Sequence, residues 1–422
     1  MQAIHTIVIG AGQAGLAASH HLGRRGIEHV VIERGRLAER WRSQRWDSLT
    51  LLTPRWMSRL PDDVPDHTDG SPGDFLTAAE FVAYLERYAR DRGAPVEELT
   101  EVCSVAPHGD GFEIVTTTET WRASNVVIAT GWCDRAVIPP VAADVDHRVH
   151  QLASTEYRNP ASLPSGGVLV VGASATGVQI ADELRSEGRE VVLAVGRHRR
   201  APRAYRGRDI FWWQARMGSF DVTIDELPDP HAARHEPSGQ LIGRAGYDLD
   251  LRRLDADGVE LTGRLVAADG ARVRFAADLA TNMLDADTRL NGLLDGIDRF
   301  VARHDLDGHV PAGVRPQPFV HDGPEHVDLL GRGVTTVVWA TGFRRSYPWL
   351  HAPVLDTDGE IRQHRGATPW TGLYVLGQRF QTRRDSNFIA GVGRDADEVA
   401  AHIAARSRRT HIDDRAPALA TT

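Results

Sequence analysis

The chain twice repeats one pattern of apolar and polar positions. A continuous apolar run ends in a glycine-rich turn, an amphipathic segment follows, and a second apolar run closes the unit. Residues 4–10, IHTIVIG, lead through AGQAGLAASHHLGRR to EHVVIER at 28–34, with Gly26 breaking the middle segment. Residues 166–172, GGVLVVG, lead through ASATGVQIADELRSEG to REVVLAVGR at 189–197. An uninterrupted apolar strand suits a parallel sheet covered on both faces, and the helix between strands supplies the crossover that parallel pairing needs. The pattern predicts two βαβ units, with first glycines Gly10 and Gly172. They stand too far apart for a solenoid and suit two α/β domains.

The remaining pattern fills in around these units. Residues 78–92 place apolar positions at helical spacing and predict an amphipathic helix. Residues 112–131 alternate and then run into VVIATG, an ending that VTTVVWATG repeats at 334–342. Within a mixed stretch from 241 to 310, residues 279–304 read as a helix. LYVLGQ predicts a strand, and residues 387–408 a loop and a final helix. Stretches rich in Pro and Asp at 61–74 and 225–240 predict loops or excursions, and the polar end from Ser407 to Thr422 a frayed tail.

Composition narrows the function by exclusion. A length of 422 residues admits two or three domains. A net charge of −8 gives no reason to expect nucleic acid or an anionic membrane as partner. All 49 basic residues are arginine, which reads as a base-composition bias. No apolar run reaches the roughly 18 residues of a membrane-spanning helix. The first strand starts at Ile4, too early for a signal peptide, so the expectation is a cytoplasmic protein. Cys103 and Cys133 form no C-x-x-C pair. The 19 histidines show no metal-ligand spacing and no G-x-S-x-G elbow occurs, so neither a metal nor a serine nucleophile is expected.

The glycine turns carry the chemistry. Gly10, Gly12 and Gly15 follow a strand and open a helix, the context in which G-x-G-x-x-G signals dinucleotide binding. Gly10 permits the tight turn, Gly12 lets the backbone approach a pyrophosphate, and Gly15 allows close helix–strand packing. Glu33 ends the second strand, where a carboxylate accepts hydrogen bonds from a ribose diol. A turn used only for packing is the alternative. The second turn has Gly172, Ser174 and Gly177, with serine at the middle position. At the offset of Glu33 it has Val195, followed by Arg197 and Arg199. A guanidinium there binds the 2′-phosphate that a carboxylate would repel, which selects NADPH over NADH. A solvated arginine-rich surface turn is the alternative. Two dinucleotide sites in one chain are the layout of a flavoprotein reduced by a nicotinamide.

At this point the sequence resembles the class B flavin-dependent monooxygenases, the flavin-containing monooxygenase and YUCCA-like group. The likeness covers most of the chain. It rests on GAGQAG, ERW at 39–41, WDSLTLLTP at 46–54, both ATG runs, EYRNP before VLVVGASATG, and GLYVLG near the end. The resemblance implies two Rossmann-like domains, the NADPH domain inserted into the FAD domain. The boundaries expected are 1–150 for the first part of the FAD domain and 151–325 for the NADPH domain with an insertion around 203–310. The FAD domain then resumes over 326–410, and 411–422 form a tail. It implies Gln13 and Ala14 at the FAD pyrophosphate, Glu33 and Arg34 toward the ribose, and Arg40, Trp41 and Thr53 on the flavin side. Ala175, Thr176, Gly177 and Gln179 would line the NADPH pyrophosphate. Ala129, Thr130 and Gly131, and Ala340, Thr341 and Gly342, would mark the domain crossings beside the cofactors.

The sequence also departs from that family. The fingerprint F-x-G-x-x-x-H-x-x-x-Y/F, ended on Tyr157, puts His147, Val149 and Ala153 where Phe, Gly and His are expected. Leu52 stands where many relatives carry an Asn that touches the nicotinamide and the oxygenated flavin. Its side chain cannot hydrogen-bond, which implies weak retention of a C4a-peroxyflavin. The expected activity is insertion of one oxygen atom of O2 into a small organic substrate by FAD reduced with NADPH. An NADPH-dependent flavin reductase or oxidase without a dithiol is the alternative, and a redox-state binding protein a third reading. No acid or base is assigned, and a homodimer is left open. YRGRDIFWW at 205–213 either walls a substrate channel or packs its aromatics into an interdomain seam. Arg383, Arg384 and Asn387 either reach the flavin ring or form a surface loop. Cys133, just after ATGW, is open to a mixed disulfide or persulfide.

Overall fold

The structure, a computed structural model, describes residues 1–63, 74–243 and 246–413. The chain opens with β1 (Gln2–Ile9), α1 (Gln13–Arg24) and β2 (His29–Ile32), the first βαβ unit. After α2 (Ala78–Asp91), four strands follow: β3 (Val96–Glu97), β4 (Val102–His108), β5 (Gly111–Thr116) and β6 (Thr120–Ile128). They form one sheet in the order β3-β2-β1-β6-β5-β4. Its β3-β2-β1-β6 half is parallel, and β4, β5 and β6 form an antiparallel meander. α2 starts on a capping box in which Thr77 and Glu80 satisfy each other's backbone N–H.

The second sheet is wholly parallel. Its strands are β7 (His150–Ala153), β8 (Gly167–Val171), β9 (Val191–Ala194), β10 (Glu260–Thr262) and β11 (Val334–Trp339), in the order β10-β9-β8-β11-β7. All five residues of β8 and all four of β9 are buried, as their unbroken apolar runs require. α3 (Ala175–Ser186) crosses from β8 to β9. Two further helices, α4 (Ile210–Arg216) and α5 (Leu279–Arg303), lie between β9 and β11 in the chain and pack on each other.

The chain then returns to the first sheet. β12 (Leu373–Val375) pairs with Val126–Ile128, beyond the stretch of β6 that pairs with β5. The parallel half of the first sheet thus gains its last strand from the far end of the sequence. α6 (Val392–Asp413) packs on α1 and closes the outer layer. The outgoing and returning crossings run side by side, with Phe343–Arg344 paired to Arg135–Ala136.

Two expectations are corrected and one open reading is resolved. β11 belongs to the second sheet, so the return lies after Trp339 and not at 325/326. Of the two readings of 225–240, the excursion holds: the stretch contains a 3-10 turn at Ile224–Glu226, a short helix at Pro230–Arg234 and a two-residue strand at Gly239–Gln240. The expected tail from 407 is helical as far as Asp413, and its remainder, 414–422, lies outside the described residues, as does 64–73 of the stretch 61–74. Among the described residues no helix is long and apolar enough to cross a membrane.

Candidate active site

Each glycine turn backs onto an ATG run. Gly10 has φ +105°, and a Cβ there would meet Ala129 O at 2.7 Å. Gly172 has φ +112°, and a Cβ there would meet Ala340 O at 2.4 Å. Both positions require glycine twice over, for the left-handed backbone and for the close approach. Gly15 and Gly177 are packing glycines: their Cβ would lie 1.8 and 1.7 Å from the carbonyl oxygens of Gly10 and Gly172. Gly12 differs from all of these. A Cβ there would meet no atom within 4 Å, because its backbone faces open space at the start of α1. Packing therefore explains Gly10 and Gly15 and does not explain Gly12. α1 and α3 both begin without a side-chain cap, so their first N–H groups are offered to the cavity.

The ends of the second strands differ as the spacing implied. Glu33 accepts the Ala11 N–H at 2.9 Å and the Gly35 N–H at 3.0 Å, which fixes the carboxylate beside the first turn. Each oxygen keeps acceptor capacity for a ribose hydroxyl. Val195 is fully buried and offers no polar group. Arg197 is exposed and has no ion-pair partner among the described residues. Arg199 is instead engaged by Glu236. Gln179 is buried on α3 and donates to the carbonyl oxygens of Thr50 and Ile242 at 3.4 and 3.2 Å. Its own Oε1 is buried with no hydrogen-bond partner among the described residues.

Both turns open on one cavity of about 1090 Å³, above the roughly 300–1,000 Å³ of a single small-molecule pocket. Of the residues singled out as cofactor-binding, all but Gly15 and Gly177 line it. Leu52 and Asn387 line it as well. Arg40 holds the loop after the first ATG run through the Cys133 carbonyl and the Asp134 carboxylate. Trp41 meets Phe81 edge-on at 4.9 Å and lies under Arg45 at 5.2 Å. Thr53 shares a 2.8 Å hydroxyl contact with Ser58. The Leu52 carbonyl accepts from Arg203 at 2.8 Å, and the Asn387 carbonyl from Gln13 at 3.1 Å. Arg203 also pairs with the buried Asp209, so the second half of the molecule grips the segment beside Leu52.

Other expectations divide. Arg383 turns away from the cavity to Asp395 and Glu398, whereas Arg384 lines it. In YRGRDIFWW the packing reading holds for Ile210 and Trp213, which are fully buried among Leu290, Leu294 and Ile297. Phe211 and, on the same helix, Gln214 reach the cavity. Tyr157 is a core group that donates to Glu183 at 2.7 Å. The Cys133 thiol lines the cavity; burial holds its pKa above the ordinary value, against the facing Arg45, Arg40 and Arg379. Both cysteines are free. The pattern missed residues 233–239, Arg45, Trp132 and Arg379, all of which line the cavity. Their only signal was charge or a Pro-rich run, because what brings them together is long-range packing.

Known proteins match this arrangement. A family model described as pyridine nucleotide-disulphide oxidoreductase matches residues 7–208. An uncharacterized oxidoreductase, CzcO-like, from Geobacillus kaustophilus is 33% identical over 398 residues, covering 93% of this chain and 96% of that one. Indole-3-pyruvate monooxygenase YUCCA4 from Oryza sativa subsp. japonica is 26% identical over 429 residues, covering 95% of this chain and 87% of that one. The solved flavin-containing monooxygenase from Stenotrophomonas maltophilia shares the fold with a TM-score of 0.65 at 20% identity, over 96% of this chain and 100% of that one.

Proposed function

Because the chain belongs to the class B flavin-dependent monooxygenase family, we propose that it places one oxygen atom of O2 into a small organic substrate within this cavity, using FAD reduced by NADPH. The observation that carries the reading is the pair of unlike turns on one cavity: an acid-ended unit at Gly10–Glu33 and an arginine-ended unit at Gly172–Arg197. When bound, FAD supplies the two-electron chemistry with nicotinamide and with oxygen.

The chain's own residues bind, orient and exclude water. Gly12 and the α1 N-terminus would cradle the FAD pyrophosphate, with Glu33 on the ribose. The α3 N-terminus, with Ser174, Ala175 and Thr176, would take the second pyrophosphate, and Arg197 the 2′-phosphate. Gln179 and Arg203 fix the carbonyls of Thr50 and Leu52, so the two halves hold the flavin-side segment in one position. Leu52, with Phe211 and Phe388, gives that side an apolar wall. The reductase or oxidase reading is favoured by one observation, that the Leu52 side chain offers no hydrogen bond at the oxygen-reacting side.

Turnover with NADPH under labelled dioxygen separates the two. One labelled atom per product molecule supports oxygen transfer. Rapid reduction of a quinone under nitrogen, with no label entering any organic product in air, transfers the assignment to a reductase.

A further inference from the structure

Spacing puts Arg197 and Arg199 together after the second strand of the second unit, yet the structure treats them differently. Arg197 faces solvent, whereas Arg199 is already paired with a carboxylate, that of Glu236. The sequence pattern around the second turn gave no sign of this acid, because it comes from the 225–240 excursion.

Contacts that do not involve its carboxylate keep Glu236 in place. Gly239–Gln240 pairs in parallel with Arg199–Arg200. The fully buried Gln240 donates to the Ala173 carbonyl at 2.6 Å, which ties the excursion to the second glycine turn itself. From the returning part of the chain, Arg379 donates to the Glu236 backbone carbonyl.

The pair is nevertheless easy to part. The side chains of Arg199 and Glu236 are 34% and 29% exposed, and an ion pair this open to water adds little stability. A second cation also stands by: Arg289, on α5, approaches the same carboxylate at 3.5 Å. Glu236 is therefore not left alone when Arg199 moves away. All three side chains line the cavity with Arg197. A phosphate and a carboxylate make the same demand on a guanidinium, two acceptor oxygens on one fork, and held side by side they repel each other.

We propose that Glu236 is a specificity-determining residue of the nicotinamide site: in the nucleotide-free protein its carboxylate occupies Arg199 as an internal stand-in for the 2′-phosphate, and NADPH gains Arg199 only by displacing it toward Arg289. The inference rests on the reading of the second turn as the NADPH site. No bond is made or broken; one anion replaces another on Arg199.

Calorimetric titration of the FAD-loaded protein with adenosine 2′,5′-bisphosphate and with adenosine 5′-monophosphate reads the 2′-phosphate contact without turnover. Glu236→Gln keeps the shape and removes the charge. It should bind the bisphosphate about fivefold tighter or better and the monophosphate within about twofold. Glu236→Ala, a second neutral variant, should shift in the same direction. Arg199→Met should weaken bisphosphate binding about twofold in the unmodified background. On top of Glu236→Gln it should cost about tenfold, because only there is the guanidinium free at the outset. Weaker bisphosphate binding by Glu236→Gln overturns the proposal, since the carboxylate then orients Arg199 for the phosphate. Equal gains for both ligands, or an equal Arg199→Met loss in the two backgrounds, overturn it as well. A flavin that NADPH reduces, with bisphosphate affinity unmoved by Glu236→Gln, sinks the proposal alone; a flavin that NADPH does not reduce sinks the function reading and the proposal with it.

Discussion

Gly12 and Gly15 stand on one turn, yet their surroundings separate binding from folding. Gly12→Val places its side chain in open space where the pyrophosphate would lie, so flavin content should fall to near zero. Its stability cost should stay near the ~1 kcal/mol of a poorer helix start. Gly15→Val drives a Cβ into the Gly10 carbonyl and should cost about 1–3 kcal/mol or more. Flavin absorbance and thermal unfolding, read on both variants, check the contrast. At the other turn, Arg197→Ala should raise the NADPH half-saturation about ten- to a hundredfold, as expected for a lost charge-assisted contact. NADH should barely respond; an equal loss for both would refute a 2′-phosphate role. Leu52→Asn adds an amide where the cavity wall is apolar. Without substrate it should lower hydrogen peroxide release per NADPH about fivefold or more; unchanged release would remove Leu52 from the account. These residues were legible because their meaning depends on short offsets from a strand end. Arg379 was not, because its partner Glu236 comes from a segment contributed by the other half of the molecule.

At the scale of elements, the first turn of α6 carries a buried acid. Burial raises the Asp395 carboxyl to about 6, against hydrogen bonds from Ser386 and the charge of Arg383. The unfolded chain would titrate near ~3.9. The folded state thus holds the proton more tightly. Stability falls as pH rises from about 4 to about 6, and the full cost persists above that. Asp395→Asn should therefore raise the unfolding temperature by a few degrees near pH 8 and by only about a third as much near pH 4.5. A uniform shift at both pH values would show that titration is not the cause. The strands and crossing helices of both βαβ units were readable, since unbroken apolar runs and helical spacing are local. Where β11 belongs was not. VTTVVWATG carries the same ATG ending as β6, but its partners β8 and β7 are set by topology. Residues 225–240 were equally opaque. Their role comes from lying against Arg199, Arg289 and Arg379, which no periodicity announces.

At the scale of the whole molecule, the glycine turns of two sheets, one mixed and one wholly parallel, share one cavity, tied together where Gln179 and Arg203 hold the Thr50–Leu52 backbone. The proposed function requires that two dinucleotides meet there and pass electrons. Anaerobic titration of the purified protein with NADPH, followed through the flavin absorbance band, tests this most directly. The account predicts a yellow protein carrying FAD whose band bleaches fully, at lower concentrations of NADPH than of NADH. A colourless protein that FAD cannot reconstitute, or a bound flavin that NADPH does not reduce, would contradict it.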